Sequence, residues 1–239
     1  MKKRTYLAIG LGLSIFIGMA NGGIQGVEAT GTKEALQISP SVKYYGEVKD
    51  GQPHGKGSIQ WGPDKYYAGD WMNGKRSGIG KYVNSYTSED KERVKVVYNG
   101  SWSADVRSGE GIGTEKITLP SGEVRIHVYR SGTFKADQLI KGYTVMQALA
   151  DPPFSFNYKN GDLSLQVYGD NQDLNKSWMN GNTFSIDYIK GKVAKHYDVF
   201  PAEPGDNKPA TLKYLQNIHK TIKPQLDEFE RLSKLVPLI

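Results

Sequence analysis

The side chains with the most chemistry to offer in this chain are aromatic rings. Tyr44, Tyr67 and Tyr98 recur at a fixed spacing with Trp71 and Trp102, and Lys56, Lys75, Arg76, Lys81 and Arg107 lie close by in sequence. Rings rimmed by cations can stack on sugars, take an extended peptide, pair with a second copy or meet anionic head groups. The same rings can instead fill a core, as a ladder inside an array. The sequence leaves both uses open for Tyr44, Tyr67, Trp71, Tyr98, Trp102, Lys75, Arg76 and Arg107.

Other chemistries find less support. Gly55-Lys56-Gly57, Gly78-Ile79-Gly80 and the run from Gly109 to Gly113 superficially resemble phosphate-binding loops. None opens a helix after a strand, and no Gly-Lys-Ser or Gly-Lys-Thr follows. The four histidines, His54, His127, His196 and His219, show no paired spacing with a carboxylate ligand set, so no metal and no cofactor is expected. With no cysteine, thiolate metal sites, thiol nucleophiles and disulfides are excluded. No serine-nucleophile signature is present, and no catalytic residue is assigned. Glu47 and Asp70 occupy equivalent places and read as outward-facing strand residues. A pair of distant carboxylates acting on a glycan remains open, because such pairs need not be close in sequence.

The elements that must position the rings follow from their spacing. Tyr44, Gly46, Val48, Gly51, Gly55 and Gly57 are matched place for place by Tyr67, Gly69, Trp71, Gly74, Gly78 and Gly80. Tyr98, Gly100, Trp102, Gly109 and Gly111 match again, with Asp105 in the fourth place. The first three places alternate, so in a strand they share a face. Asp50-Gly51 and Asn73-Gly74 are hairpin-turn pairs. The last two glycines fall on the returning strand, where a ring from the neighbouring strand can lie over bare backbone. Each unit is therefore a β-hairpin that buries its rings against the next.

This pattern of Tyr-x-Gly-x-Trp, a turn glycine and Gly-x-Gly resembles the MORN repeat (membrane occupation and recognition nexus), and His54-Gly55 matches a common variant of it. A degenerate fourth copy is suggested by residues 132–137, which echo residues 100–105. The resemblance implies interaction, scaffolding or dimerisation, without identifying the partner. It gives the expected fold: mainly β, an elongated array of stacked antiparallel β-hairpins with a C-terminal α-helix.

The remaining chain divides around this array. Of 239 residues with net charge +6, residues 1–29 have the layout of a secretory signal peptide: Lys2, Lys3 and Arg4, an apolar run, then small residues before a cut after Ala29 or Ala20. Cleavage after Ala29 removes three basic residues and one acidic, leaving +4. An uncleaved membrane anchor is the alternative. Export without cysteine fits a bacterial protein, secreted or associated with the cell envelope. Residues 30–43 read as a flexible lead-in, and residues 44–143 as the array. Residues 88–93 form a charged insert that extends one hairpin connection. Residues 144–205 read as further hairpins, with a short helical turn at 144–149 and a break at Pro152-Pro153. Residues 206–239 carry the C-terminal helix, with Leu215, Ile218 and Ile222 on one face, Asn207 or Asp206 as cap, and Pro224 expected to kink or split it.

Together these features point to an exported, non-catalytic binding or scaffolding protein, with a protein partner or self-association. Peripheral binding to anionic phospholipid is one alternative, and an enzyme acting on cell-wall glycan a second. Nucleic acid is not expected as a partner of an exported chain with this modest charge.

Overall fold

The computed structural model describes residues 32–202 and 206–239. The signal peptide expected over residues 1–29 lies outside the described residues. Thirteen strands follow one another in a single antiparallel sheet, each paired with its neighbours in sequence. The first five are β1 (Lys33–Ser39), β2 (Val42–Lys49), β3 (Gln52–Trp61), β4 (Lys65–Met72) and β5 (Lys75–Thr87). Then come β6 (Arg93–Ser103), β7 (Val106–Thr118), β8 (Val124–Lys135) and β9 (Gln138–Ala148). The last four are β10 (Phe154–Asn160), β11 (Leu163–Gly169), β12 (Ser185–Lys190) and β13 (Val193–Asp198). Helix α1 (Leu174–Asn180) interrupts the last four strands, and α2 (Lys208–Ser233) follows them.

The hairpins are pinned by turn chemistry. Asp50-Gly51, Asn73-Gly74, Ala104-Asp105 and Ala136-Asp137 all have positive φ at both turn residues, as tight two-residue hairpin turns require. The turn at Ala136-Asp137 thus shares the backbone geometry of the three before it. The glycines then register with one another: Gly46 opposite Gly57, Gly69 opposite Gly80, Gly100 opposite Gly111 and Gly132 opposite Gly142. Between hairpins, Gly57 faces Gly69, Gly80 faces Gly100 and Gly111 faces Gly132. One bare stripe thus crosses eight strands. The insert at 88–93 lengthens β5 and β6, which pair as far as Thr87 and Arg93.

Several expectations are corrected. Residues 33–39 are no flexible lead-in but strand β1, paired along β2, with Leu36 packed on the first ring of the array. Residues 144–148 continue β9 instead of turning as a helix, because Val145 is fully buried at alternating register with Tyr143. The boundary at 143/144 therefore falls inside a strand, and the sheet runs on without a break. The stretch around Trp178 is helical, not a looser hairpin. Leu174 and Trp178 are buried, and Gly181 ends the helix in the left-handed region. Pro224 lies within the body of α2 without splitting it; Ile222 and Leu226 on either side are buried. Asn207 caps α2 by accepting a hydrogen bond from the Ala210 amide at 3.2 Å.

Directly paired residues share a face of the sheet, and neighbours along a strand alternate. Tyr67, Tyr82 and Tyr98 lie on one face. Tyr66, Val83 and Val97 lie on the other, and that row continues through Thr114, Tyr129, Val145, Phe156, Val167, Ile186 and Tyr197. Two cores result, on opposite faces. One is the ring core of Tyr44, Trp71, Tyr67, Trp102, Tyr98 and Phe134. The other joins Val145, Phe156, Val167 and Ile186 to Leu215, Ile222, Leu226 and Phe229 of α2 and Trp178 of α1.

Candidate binding surface

The repeat aromatics form a continuous edge-to-face series. Tyr44 meets Trp71 at 5.4 Å between ring centroids, Trp71 meets Tyr67 at 5.2 Å, and Tyr67 meets Trp102 at 5.4 Å. Trp102 meets Tyr98 at 5.2 Å, and Tyr98 meets Phe134 at 5.2 Å. Each tryptophan fills the space between the tyrosine of its own hairpin and that of the one before. This alternation suits the aromatic quadrupole, with edges on faces.

Polar atoms of the ladder are satisfied internally. The Trp71 and Trp102 indoles donate to the carbonyls of Gly57 and Gly80 at 3.1 and 3.0 Å. The hydroxyls of Tyr44, Tyr67 and Tyr98 donate to the carbonyls of Glu47, Asp70 and Ser101 at 2.6, 3.0 and 3.1 Å. The phenols lie over the bare stripe, and a Cβ at Gly80 would come within 2.2 Å of the Tyr67 hydroxyl. Burial pushes the Tyr44 phenol up to about 12, with the Glu47 charge adding to it. Tyr67 and Tyr98 are raised for the same first reason. All three are therefore neutral hydrogen-bond donors at any physiological pH.

The open ring groove is accordingly not present. Tyr44, Tyr67 and Tyr98 are at most 1% exposed, and Trp71 and Trp102 5%. The basic rim is corrected in part as well. The Arg76 guanidinium lies 4.2 Å from the centre of the Trp102 ring, and its Nε donates to Asp105 at 3.0 Å. Arg107 repeats this one hairpin later, 5.5 Å over Tyr98 and 2.9 Å from Asp137. Burial pushes the Asp137 carboxyl up, but the Arg107 hydrogen bonds and charge outweigh it and hold the group below its ordinary value. Both arginines staple a hairpin to the next turn. Backbone bonds run alongside, from the Gly74, Asp105 and Asp137 amides to the carbonyls of Pro53, Arg76 and Arg107. Lys75, by contrast, is exposed at a hairpin tip.

Glu47 and Asp70 do not face outward as simple polar strand residues. Glu47 is buried and accepts from the Lys56 amide at 3.1 Å; Asp70 accepts from the Ile79 amide at 2.7 Å. Each carboxylate holds the irregular step just after Gly55 or Gly78, where the strand register shifts. Their equivalent positions were visible in the sequence; the bulges they serve were not.

Among the described residues, the widest exposed surface lies on the other face, over β1–β7. Tyr45, Tyr66, Ile79 and Ile112 are exposed there, with Lys43, Lys81 and Lys95. A shallow concavity of about 460 Å³ opens beside Tyr45 and Tyr66. A second, of about 410 Å³, lies against α2 and includes Tyr143, Tyr158, Glu110 and Glu228. Its two carboxylates are engaged: Glu110 accepts from the Thr133 hydroxyl, and Glu228 from Arg231. Among the described residues, no group of three or more His, Asp or Glu is placed to hold a metal ion, and no helix is long and apolar enough to cross a membrane.

Comparison with known proteins agrees with the repeat spacing. The MORN repeat model matches residues 44–63, 67–85 and 98–112. MORN repeat-containing protein 3 of Xenopus laevis is 41% identical over 85 residues, which is 35% of this chain and 35% of that protein. Alsin of Homo sapiens and of Rattus norvegicus are each 33% identical over 81 residues, 34% of this chain and 4% of theirs. The aligned part thus spans about a third of one relative and a small fraction of the other.

Proposed function

We propose that this chain, which carries three MORN repeats, is an exported, non-catalytic binding or scaffolding protein of the cell envelope. The observation that carries this reading is the division of labour in the sheet. The repeat rings and arginine staples are spent on internal rigidity, while a broad opposite face exposes tyrosine, isoleucine and lysine side chains among the described residues. A stiff surface of mixed apolar and basic character binds by complementarity. One of the relatives it resembles, MORN repeat-containing protein 3, is named for the repeat and not for a reaction. Export rests on the basic, apolar and small-residue layout of residues 1–29. N-terminal sequencing of the mature protein is expected to begin at Thr30.

The test is co-purification from gently crosslinked envelope fractions. Wild type would be compared with two folded variants, Ile112→Asp on the face that carries α2 and Tyr86→Asp on the ladder face. One polypeptide recovered near stoichiometrically and lost in either variant supports the proposal. Recovery of the protein alone, or of wall fragments released with altered bonds, contradicts it.

Peripheral attachment to anionic phospholipid is the second reading, favoured by the exposed Lys43, Lys81 and Lys95 beside Tyr45 and Tyr66. It requires co-sedimentation with anionic vesicles that is lost at high salt.

A further inference from the structure

Helix α2 shows what this sheet accepts on that face. It sits on the row that contains Tyr129, Val145, Phe156, Val167 and Ile186, and on the adjacent row with Tyr143, Tyr158 and Leu165. Both rows run on past the edge of the helix. The first continues through Thr114, Val97 and Val83 to Tyr66. The second continues through Ser131, Ile112, Asn99 and Lys81 to Ala68. The seat of α2 is therefore one half of a longer track, and among the described residues the other half is met only at its margin, where Ile239 and Pro237 accept hydrogen bonds at Lys116 and His127.

The bare half differs from the seat in charge. Lys81 stands in the second row, and Lys95 pairs with Lys116 in the row beside the first. Lys81 and Lys95 are exposed and Lys116 half-buried, the last donating to the Ile239 carbonyl. The track is recessed at Val83, which is 9% exposed, while its directly paired Tyr66 is 37% exposed and Ile112, two strands away in the second row, 47%. A recessed apolar line between lysines matches a ridge of side chains with acidic neighbours.

We propose that the bare half of this track docks an amphipathic helix of a partner protein whose apolar stripe is flanked by acidic residues. This rests on the binding or scaffolding reading and names its surface and the class of partner. The recess at Val83 takes a helix ridge, which a flat membrane surface does not supply, and insertion of the exposed Ile79 and Ile112 into a membrane is an outcome the test separates. A second copy of this chain is disfavoured by charge. Two such faces would oppose lysines, and the exposed side of α2 carries Lys213 and Lys220 beside the Lys223–Asp227 ion pair.

The test uses the full mature chain and two synthetic peptides. One has the sequence of residues 208–233. The other carries Lys213→Glu, Lys220→Glu and Lys223→Glu, keeping the stripe and reversing its flanks. Binding is followed by fluorescence anisotropy and located by amide chemical-shift changes. The acidic peptide is expected to bind saturably, at least tenfold more tightly than the basic one, with shifts centred on Tyr66, Val83, Val97 and Ile112. Lys81→Glu/Lys95→Glu, and separately Ile112→Asp, are expected to weaken it at least tenfold with circular dichroism unchanged. All three positions are exposed, so the variants keep the fold.

Equal binding of the two peptides overturns the proposal, as do shifts confined to Tyr143 and Phe156, which would mean displacement of α2. Sedimentation of the chain with phosphatidylserine vesicles, lost in the lysine variant, overturns it in favour of a membrane when neither peptide binds. So does a dimer, seen by analytical ultracentrifugation, that Ile112→Asp dissociates. If neither peptide binds but Tyr86→Asp abolishes co-purification of a partner, this proposal fails while the binding reading stands.

Discussion

Across β2–β9 the main buried cluster is a ladder of rings, with Ile59, on one face, packed from hairpin to hairpin. Across β9–β13 they are Val145, Phe154, Phe156, Leu165, Val167 and Ile186 on the opposite face, covered by α1 and α2. The strands belong to one sheet in one register order, so the backbone does not decide which face is buried. The side chains do. Where a tyrosine and a tryptophan alternate with glycine, the sheet can cover itself, because rings fold down over bare backbone. Where the strands carry aliphatic residues and phenylalanines without the glycine stripe, a separate layer has to be brought in. Trp178 ties that layer together, donating from its indole to the Leu215 carbonyl at 2.9 Å.

The contrast is most easily broken by unseating the helix layer. Phe229 is fully buried and touches both Phe156 and Tyr143. Phe229→Ala is expected to cost about 3–5 kcal/mol in denaturant unfolding, with loss of hydrogen-exchange protection in β10–β13. A comparable loss of protection in β2–β7 would show that the repeats depend on the helix layer.

The next effect belongs to the repeats. Gly80→Ala places a methyl against the Tyr67 phenol, and overpacking of this kind costs about 1–3 kcal/mol. The expected signature is a lowered unfolding midpoint with altered tryptophan fluorescence. At Gly161, a solvent-facing turn with no atom within 4 Å of a built Cβ, the same change is strained by its positive φ but meets no neighbour. Its effect on tryptophan fluorescence is expected to be absent.

Arg107→Met keeps much of the ring contact and removes the bonds to Asp137. About 1 kcal/mol of lost stability is expected. Because the Asp137 carboxyl is held below its ordinary value, the wild-type advantage is present above a pH of about 4. It fades as pH falls through the lower folded value. An Arg107→Met effect that persists undiminished at lower pH would contradict that origin.

The smallest expected effect separates two histidines. His196 is held above its ordinary value, first by its hydrogen bond to Asp187 at 2.7 Å and then by Asp198. His127 is held below it by burial, with Lys116 adding to the effect against the bond to the Pro237 carbonyl. NMR titration is expected to place His196 above about 6.5 and His127 below it. The His196 contribution to stability is full below about 6.5 and is lost as pH rises through the raised value. That of His127 has the opposite sign and is lost as pH falls below about 6.5. Coincident midpoints would contradict both placements.

How much of this was legible in the sequence depends on where the burying partner lies. Tyr67, Trp71, Gly69 and Gly80 specify each other within one hairpin, so spacing alone gave their face, their turn and the use of bare backbone. Asp105 in place of a turn glycine was visible as a departure, but its bond to Arg76 was not, because the partner is one hairpin away. The same distance hid the role of Arg107, which spacing presented as part of a basic rim. Residues 33–39 lack alternation and glycine, and only pairing along β2 makes them a strand. The apolar stripe of α2 was plain, yet which face it covers depends on Val145 and Phe156, far away in sequence.

Three indole N–H groups test the two-core arrangement most directly, since Trp71 and Trp102 report the ladder and Trp178 the helix layer. Their hydrogen exchange would be followed by NMR in the wild type and in Phe229→Ala. The expected result is slow exchange of all three in the wild type, and fast exchange of Trp178 alone in the variant. Loss of protection at all three together would mean a single cooperative core, and would contradict the division of this sheet between its two faces.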